Sequence, residues 1–147
     1  AAIVRAEQPG LRTARNLYAR VVQDPRSEVW YAQALDNSLA SYDFTAIMAM
    51  PYMEQAPDPK AFYRELVERV KQHPDGLAKV VFELQSVDWR HDNRPIPSEE
   101  MVATIRSLYD MGVRHVGYYP DEFLEGRPDA TSMRAVFGTR LLDADAP

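Results

Sequence analysis

The sequence predicts an α/β protein in which strand and helix alternate four times. Four segments predicted to be extended, at 11–19, 44–50, 78–86 and 115–119, have the length of strands, and helical patterns separate them. The units repeat at roughly thirty residues, as βα units do. The segment FTAIMAM at 44–50 is almost continuously apolar, which is typical of a strand in a parallel sheet. Four units are half of an eight-unit (β/α)8 TIM-type barrel, and an open four-stranded parallel sheet is the alternative.

The first unit combines the strand LRTARNLYA at 11–19 with a helix from about 27 to 41. Apolar residues recur in this helix at helical spacing, and Ser27 can cap its first N–H groups. These apolar positions, which we expect in the core, are Trp30, Ala34, Leu35 and Leu39.

The second unit has clear boundaries. Its strand ends at Pro51, which cannot donate a hydrogen bond to a neighbouring strand. Its helix covers about 58–72, with Asp58 as N-cap and Pro59 at the first helical position. Phe62, Leu66 and Val70 form one apolar stripe along it.

The third strand, at 78–86, leads through a polar loop to a helix that begins at Ser98 and ends at Gly112. Ser98 is the expected N-cap, and glycine is common just after a helix. The fourth strand, at 115–119, is followed by one short amphipathic segment at about 133–142. We expect residues 1–147 to form a single partial domain, the second half of the barrel.

Composition excludes several classes of site. The chain has 147 residues and no cysteine, so disulfides and thiolate metal sites are excluded. A net charge of -5 argues against nucleic-acid binding, which needs a basic face. The three histidines have no partner at metal-ligand spacing, and no glycine-rich phosphate loop is present. We therefore expect no metal and no cofactor in this chain.

Glu83 is the candidate catalytic residue. Period-two alternation places Val80, Phe82 and Leu84 on one face of the third strand and Glu83 on the other face, which points into a barrel. An unpaired carboxylate in so apolar a strand is costly. The functional interpretation is an acid or base, or a partner for a sugar amine. The structural alternative is an ion pair with Arg12 or Arg15.

Aromatic and polar residues also cluster where the strands end, which is where ligands bind in βα folds. Their rings could stack on sugar rings, although tyrosine and tryptophan are also ordinary core residues. The expected substrate-binding residues are Tyr18, Tyr52, Gln85, Trp89, Tyr118, Tyr119 and Asp121.

Four stretches carry a resemblance to a known family: RNLYA at 15–19, WYAQALDNSLASYDFTAIMAMPYME at 30–54, VVFELQSVDWR at 80–90 and VGYYPDEF at 116–123. The chain resembles the C-terminal part of the periplasmic poly-β-1,6-N-acetyl-D-glucosamine N-deacetylases of Gram-negative biofilm systems. The resemblance implies a parent protein with a metal-dependent deacetylase domain, followed by a glycoside-hydrolase-like (β/α)8 barrel. This chain would supply strands five to eight of that barrel.

The resemblance also implies roles for particular residues. Glu83 matches the acidic position on strand seven, and its catalytic partner would be an aspartate on strand four, outside this chain. Asp121 is a reserve candidate, or a binder of the substrate's ammonium group. Because glycosidic cleavage ordinarily needs two groups, we expect the isolated chain to be inactive. The divalent metal belongs to the deacetylase domain.

Expected partners follow from the same resemblance. They are the poly-β-1,6-glucosamine polymer, the first half of the barrel and an outer-membrane export porin, with the parent periplasmic and associated with the outer membrane. Two functions stay open: a glycoside hydrolase acting on partly deacetylated polymer, and a non-catalytic module that binds and exports it.

Overall fold

The computed structural model describes residues 2–143, except for the side chains of Phe123 and of residues 139–143. Strands and helices alternate as the sequence predicts. In chain order the elements are α1 (Ala2–Glu7), β1 (Ala14–Tyr18), α2 (Ala19–Gln23), α3 (Glu28–Tyr31), α4 (Leu35–Ser41), β2 (Phe44–Ala49), α5 (Pro59–Lys71), α6 (Gly76–Lys79), β3 (Val80–Gln85), β4 (Val87–Asp88), β5 (Arg94–Pro95), α7 (Ser98–Asp110), β6 (His115–Tyr119) and α8 (Ala130–Asp143).

Four strands form one parallel sheet in the order β1-β2-β3-β6. Each strand therefore lies beside the strand of the next βα unit, as in a (β/α)8 barrel. The register aligns Tyr18, Met48, Glu83 and Gly117 in one row across the sheet. Residues in one row share a face, so this row defines which side chains lie together.

One face of the sheet packs against the helices. Leu17, Ile47, Phe82 and Leu84 on this face are at most 1% exposed. The stripe predicted on α5 is confirmed, because its three residues are buried in the same core. The Asp58 carboxylate caps α5 by accepting from the N–H groups of the first helical turn at 2.9 and 3.2 Å.

The opposite face is open. Asn16 and Tyr18 are exposed on it, and Met48, Val81 and Glu83 are half-buried. In a (β/α)8 barrel the strands close around such a face and their inward side chains fill it. The chain is accordingly the part of a (β/α)8 barrel that holds four of its βα units, and the open face is its concave inner surface.

The first predicted helix is wrong in extent. Instead of one helix over 27–41, the chain forms α3 and α4, separated at Ala32, which has a left-handed φ of 51°. Leu35 and Leu39 are buried as expected, but Trp30 is 87% exposed and does not join the core. Ser27 does not cap a helix; its hydroxyl donates to the carbonyl of Asp24 at 2.7 Å.

Two further differences lie near the third strand. The predicted polar loop contains the antiparallel pair β4 and β5. Ser98 does not cap α7, and its hydroxyl instead accepts from the Asp129 N–H at 2.9 Å. Gly112 follows α7 with a φ of 90°, as expected for a glycine after a helix.

Between residues 2 and 143, no helix has the length and apolar character needed to span a bilayer.

Candidate functional site

Glu83 lies on the concave face, as the alternation of β3 predicts. Its carboxylate Oε2 accepts a hydrogen bond from Nδ2 of Asn16 at 3.2 Å. The two residues belong to strands separated by β2, where Ala46 pairs with Asn16 in the register. The small alanine side chain leaves room for the amide to reach across the sheet. Asn16 therefore orients one oxygen of Glu83.

The charge of Glu83 is not neutralised by a cation. Among the described residues it has no ion pair, and the Arg12 guanidinium lies 6.0 Å from the centre of the Phe44 ring instead. Arg15 pairs in register with Thr45, so it belongs to the opposite face of the sheet. Burial raises the pKa of Glu83, since the ionised form is poorly solvated there. The ion pair considered as the structural alternative is not formed.

Two aromatic pairs flank Glu83 along the end of the sheet. On β1, Tyr18 contacts the ring of Tyr31, with ring centres 5.0 Å apart. On the other side, the rings of Trp89 and Tyr119 lie 6.3 Å apart with 35° between their planes. Three strand spacings separate β1 from β6, or about 14 Å. Glu83 thus lies between two exposed aromatic surfaces.

Tyr118 does not belong to this arrangement. It pairs in register with Leu84, so it belongs to the helix-facing side, and its ring stacks on Phe137 with centres 6.2 Å apart. Burial, followed by the nearby charge of Asp121, raises its pKa. Tyr118 therefore packs on the helix-facing side of the sheet, and its contact with substrate stays a prediction.

Gln85 is also occupied within the protein. Its side chain is buried, and Oε1 accepts from the backbone N–H groups of Tyr52 and Met53 at 2.9 and 3.1 Å. Its Nε2 donates to the carbonyl of Val87 at 2.8 Å. Gln85 thus fixes the loop that follows β2, and its contact with substrate stays a prediction.

Tyr52 points away from the concave face. Its hydroxyl donates to the carboxylate of Glu100 on α7. Burial, together with this hydrogen bond and the charge of Glu100, raises the pKa of Tyr52 to about 12. Its ring lines a separate cleft between α5 and α7. The expectation that it joins the other aromatic residues is corrected by this placement.

Asp121 stands where the sequence places it, just after β6. It is exposed, and none of the described residues forms a hydrogen bond or ion pair with its carboxylate. The group is therefore available to a cationic ligand, and its role stays a prediction.

Sequence reasoning missed Asp88, which orders the segment that carries Trp89. Its side chain is 1% exposed and accepts from the Arg90 N–H at 3.1 Å, from His91 Nδ1 at 2.7 Å and from Arg94 Nη2 at 3.5 Å. Burial acts to raise its pKa, but these hydrogen bonds and charges lower it on balance. The signal was an acidic residue with histidine and arginine three and six positions later.

Among the side chains that the structure describes, no three histidine, aspartate or glutamate residues are grouped so that they could hold a metal ion. The arrangement places a carboxyl group with a raised pKa between aromatic rings. Such a carboxyl group can transfer a proton, and the rings can stack on a ligand.

The hydrogen bond between Asn16 and Glu83 gives a pH prediction. Because the Asn16 amide donates to the ionised carboxylate, it favours that form, and Asn16→Ala should raise the pKa of Glu83. Asn16→Asp should raise it further, since a like charge is added. A carbon-detected NMR titration of the Glu83 carboxyl group measures both. Asn37→Asp is the control, because it adds the same charge at an exposed position of α4. A Glu83 pKa that is unchanged in both Asn16 variants would contradict the interpretation.

Comparison with known proteins finds one matching family and several similar proteins. The profile of the family described as "Hypothetical glycosyl hydrolase family 13" matches residues 1–119. Two proteins named poly-beta-1,6-N-acetyl-D-glucosamine N-deacetylase, from Escherichia coli strains K12 and O157:H7, are each 38% identical over 135 residues. These residues are 89% of this chain and 20% of each relative, so the chain spans about a fifth of their length.

A solved structure is similar over nearly the whole chain. It is the PgaB (BpsB) glycoside hydrolase domain from Bordetella bronchiseptica, which is 44% identical, with a TM-score of 0.85. The match covers 92% of this chain and 38% of that chain.

Proposed function

The chain belongs to hypothetical glycosyl hydrolase family 13, and we propose that its concave face forms part of a site that binds and cleaves partly deacetylated poly-β-1,6-N-acetyl-D-glucosamine. The observation that carries the proposal is the position of Glu83. It is a carboxyl group with a raised pKa, free of any cation among the described residues, between two aromatic pairs. The names of the relatives support the choice of polymer.

Glu83 is suited to the role of general acid. A raised pKa keeps a larger fraction of the carboxyl group protonated near neutral pH, and that proton is what the departing sugar oxygen needs. Asn16 holds Oε2, so Oε1 is the oxygen left to face the polymer. The second carboxylate of the reaction would come from strand four in the other half of the barrel. On this proposal the isolated chain is inactive.

The polymer would lie across the ends of the strands. The exposed rings of Tyr18, Trp89 and Tyr119 offer flat apolar surfaces to the C–H faces of sugars. Asp121, beside Tyr119 at the end of β6, would attract the ammonium group of a deacetylated unit. The carboxylate of Asp121 favours a partly cationic polymer over a fully acetylated one.

The wider setting is also proposed from the relatives. The parent would carry an N-deacetylase domain with its own divalent metal, and no residue of this chain is assigned to that ion. We propose a periplasmic protein associated with the outer membrane, which passes processed polymer to an export porin. The first half of the barrel is the partner that would close the concave face.

In a second candidate function, the same surface binds the polymer without cleaving it. The two aromatic pairs and the acidic groups would also suit a module that binds the polymer and guides it during export. Incubation of the full-length protein with partly deacetylated polymer distinguishes the two functions. Hydrolysis predicts new reducing ends and shorter oligosaccharides by mass spectrometry, whereas binding without new ends indicates the export module. Fully acetylated polymer is the control, and equal cleavage of both polymers would contradict the role of the acidic groups.

A further inference from the structure

A second cleft lies outside the concave face, between the start of α5 and the middle of α7. It has a volume of about 480 Å³, within the range of small-molecule sites. The loop that follows β2 borders it through Pro51 and Tyr52. We propose that this cleft is a secondary binding site for one amino-sugar unit of the polymer. The choice of ligand rests on the proposed function, whereas the site itself rests on the geometry below.

The cleft offers ring-shaped apolar surfaces. Tyr52 and Tyr63 line it together with Pro51, Pro59 and Leu108. Tyr63 is further held by an edge-to-face contact with the ring of Phe62, with centres 5.8 Å apart. Flat rings of this kind accept the C–H face of a sugar while their hydroxyl groups remain available for polar contacts.

Polar side chains from α5 and α7 also line the cleft. Glu100, Thr104 and Ser107 are spaced so that they share one face of α7, and all three line the cleft. The side-chain hydroxyls of Thr104, Ser107 and Tyr63 form no hydrogen bond with any described residue. A sugar unit supplies several hydroxyl groups that could pair with them. A purely apolar ligand would leave them unsatisfied.

The charges of the lining favour a cationic unit. Two carboxylates and one ammonium group, those of Asp58, Glu100 and Lys60, leave one negative charge. The Asp58 carboxylate is already used as the cap of α5, so Glu100 is the acid available to a ligand. Glu100 accepts the Tyr52 hydroxyl and retains other lone pairs for an ammonium group.

The cleft is connected to the concave face through a single residue. The Tyr52 side chain reaches Glu100, while its backbone N–H donates to Oε1 of Gln85 at 2.9 Å. Gln85 lies two residues after Glu83 on β3. A polymer chain that occupies both places would therefore be held on either side of the same loop, which would increase its avidity.

Binding in the full-length protein tests the proposal. The Glu83→Gln variant is titrated calorimetrically with a β-1,6-linked glucosamine disaccharide, so that no cleavage interferes and each ligand molecule occupies one site. We expect two binding events. Adding Glu100→Gln or Tyr63→Phe should weaken only one of them, and loss of the charged hydrogen bond in Glu100→Gln should weaken it by about tenfold to a hundredfold. Tyr63→Phe keeps the ring and its packing, so its effect reports the hydroxyl alone.

Glu99→Gln is the matched control, because it removes the same charge from the same turn of α7 at a residue that does not line the cleft. Identical isotherms for Glu99→Gln, Glu100→Gln and Tyr63→Phe would overturn the proposal, as would a single binding event in the parent. These results are independent of cleavage: loss of the second event with intact hydrolysis refutes the cleft alone, and absence of hydrolysis refutes the proposed chemistry alone.

Discussion

Replacing Glu83 by glutamine in the full-length protein is expected to lower the rate of polymer cleavage by about a hundredfold or more, which is the contribution of a positioned general acid or base. Glutamine has nearly the same shape, and its amide oxygen can still accept from Asn16. What it cannot do is transfer a proton. The rate is measured as the release of reducing ends from partly deacetylated polymer.

Glu54→Gln provides a matched control. Glu54 is also half-buried, and burial also raises its pKa. It lies on the loop that follows β2, however, and lines a separate cleft together with Arg20. We expect its cleavage rate to stay within about twofold of the wild-type rate. Unchanged turnover in Glu83→Gln would remove this residue from the chemistry. Retained polymer binding in that variant is expected in either case, because the aromatic pairs are intact.

The face on which Glu83 lies could be predicted from sequence because strand alternation has a period of two. Three apolar residues of β3 belong to one face, and a carboxylate between them must belong to the other. Alternation within one strand does not show which residues of the neighbouring strand share its face. Tyr118 and Tyr119 are adjacent, so only one of them can share the face of Glu83, and the choice needs the register that pairs Gly117 with Glu83.

Residues at the ends of the strands and beyond them cannot be placed from periodicity alone. Tyr52 follows β2 in a turn, where no periodicity constrains the side chain, and only the three-dimensional position of Glu100 explains its direction. Gln85 has the expected alternation, yet two backbone N–H groups from another loop occupy its oxygen. Contacts between residues far apart in sequence decide both positions, and local patterns do not contain them.

The division of the first helix illustrates a further limit. The spacing of Trp30, Ala34, Leu35 and Leu39 satisfies the helical period, but the backbone reverses at Ala32 in a left-handed conformation. Neither glycine nor proline marks that position, and alanine has no side chain that favours such a φ. The break leaves Trp30 exposed instead of in the core.

Phe82→Ala is expected to give the largest loss of stability, because Phe82 is fully buried on the inner strand β3, where the sheet meets the helices. Truncation of a buried phenylalanine lowers the free energy of unfolding by about 3–5 kcal/mol, through lost burial and the cavity that remains. The change is measured by urea denaturation of the full-length protein, followed through the transition of this domain.

Phe82→Leu separates the loss of packing from a general intolerance of substitution. Leucine refills much of the space, so its cost should fall to about 1–2 kcal/mol. Because Phe82 and Glu83 are neighbours on opposite faces, the alanine result also tests the orientation of the acid. A loss below about 1 kcal/mol for Phe82→Ala would mean that Phe82 is not in the core, and Glu83 would then point toward the helices and away from any polymer.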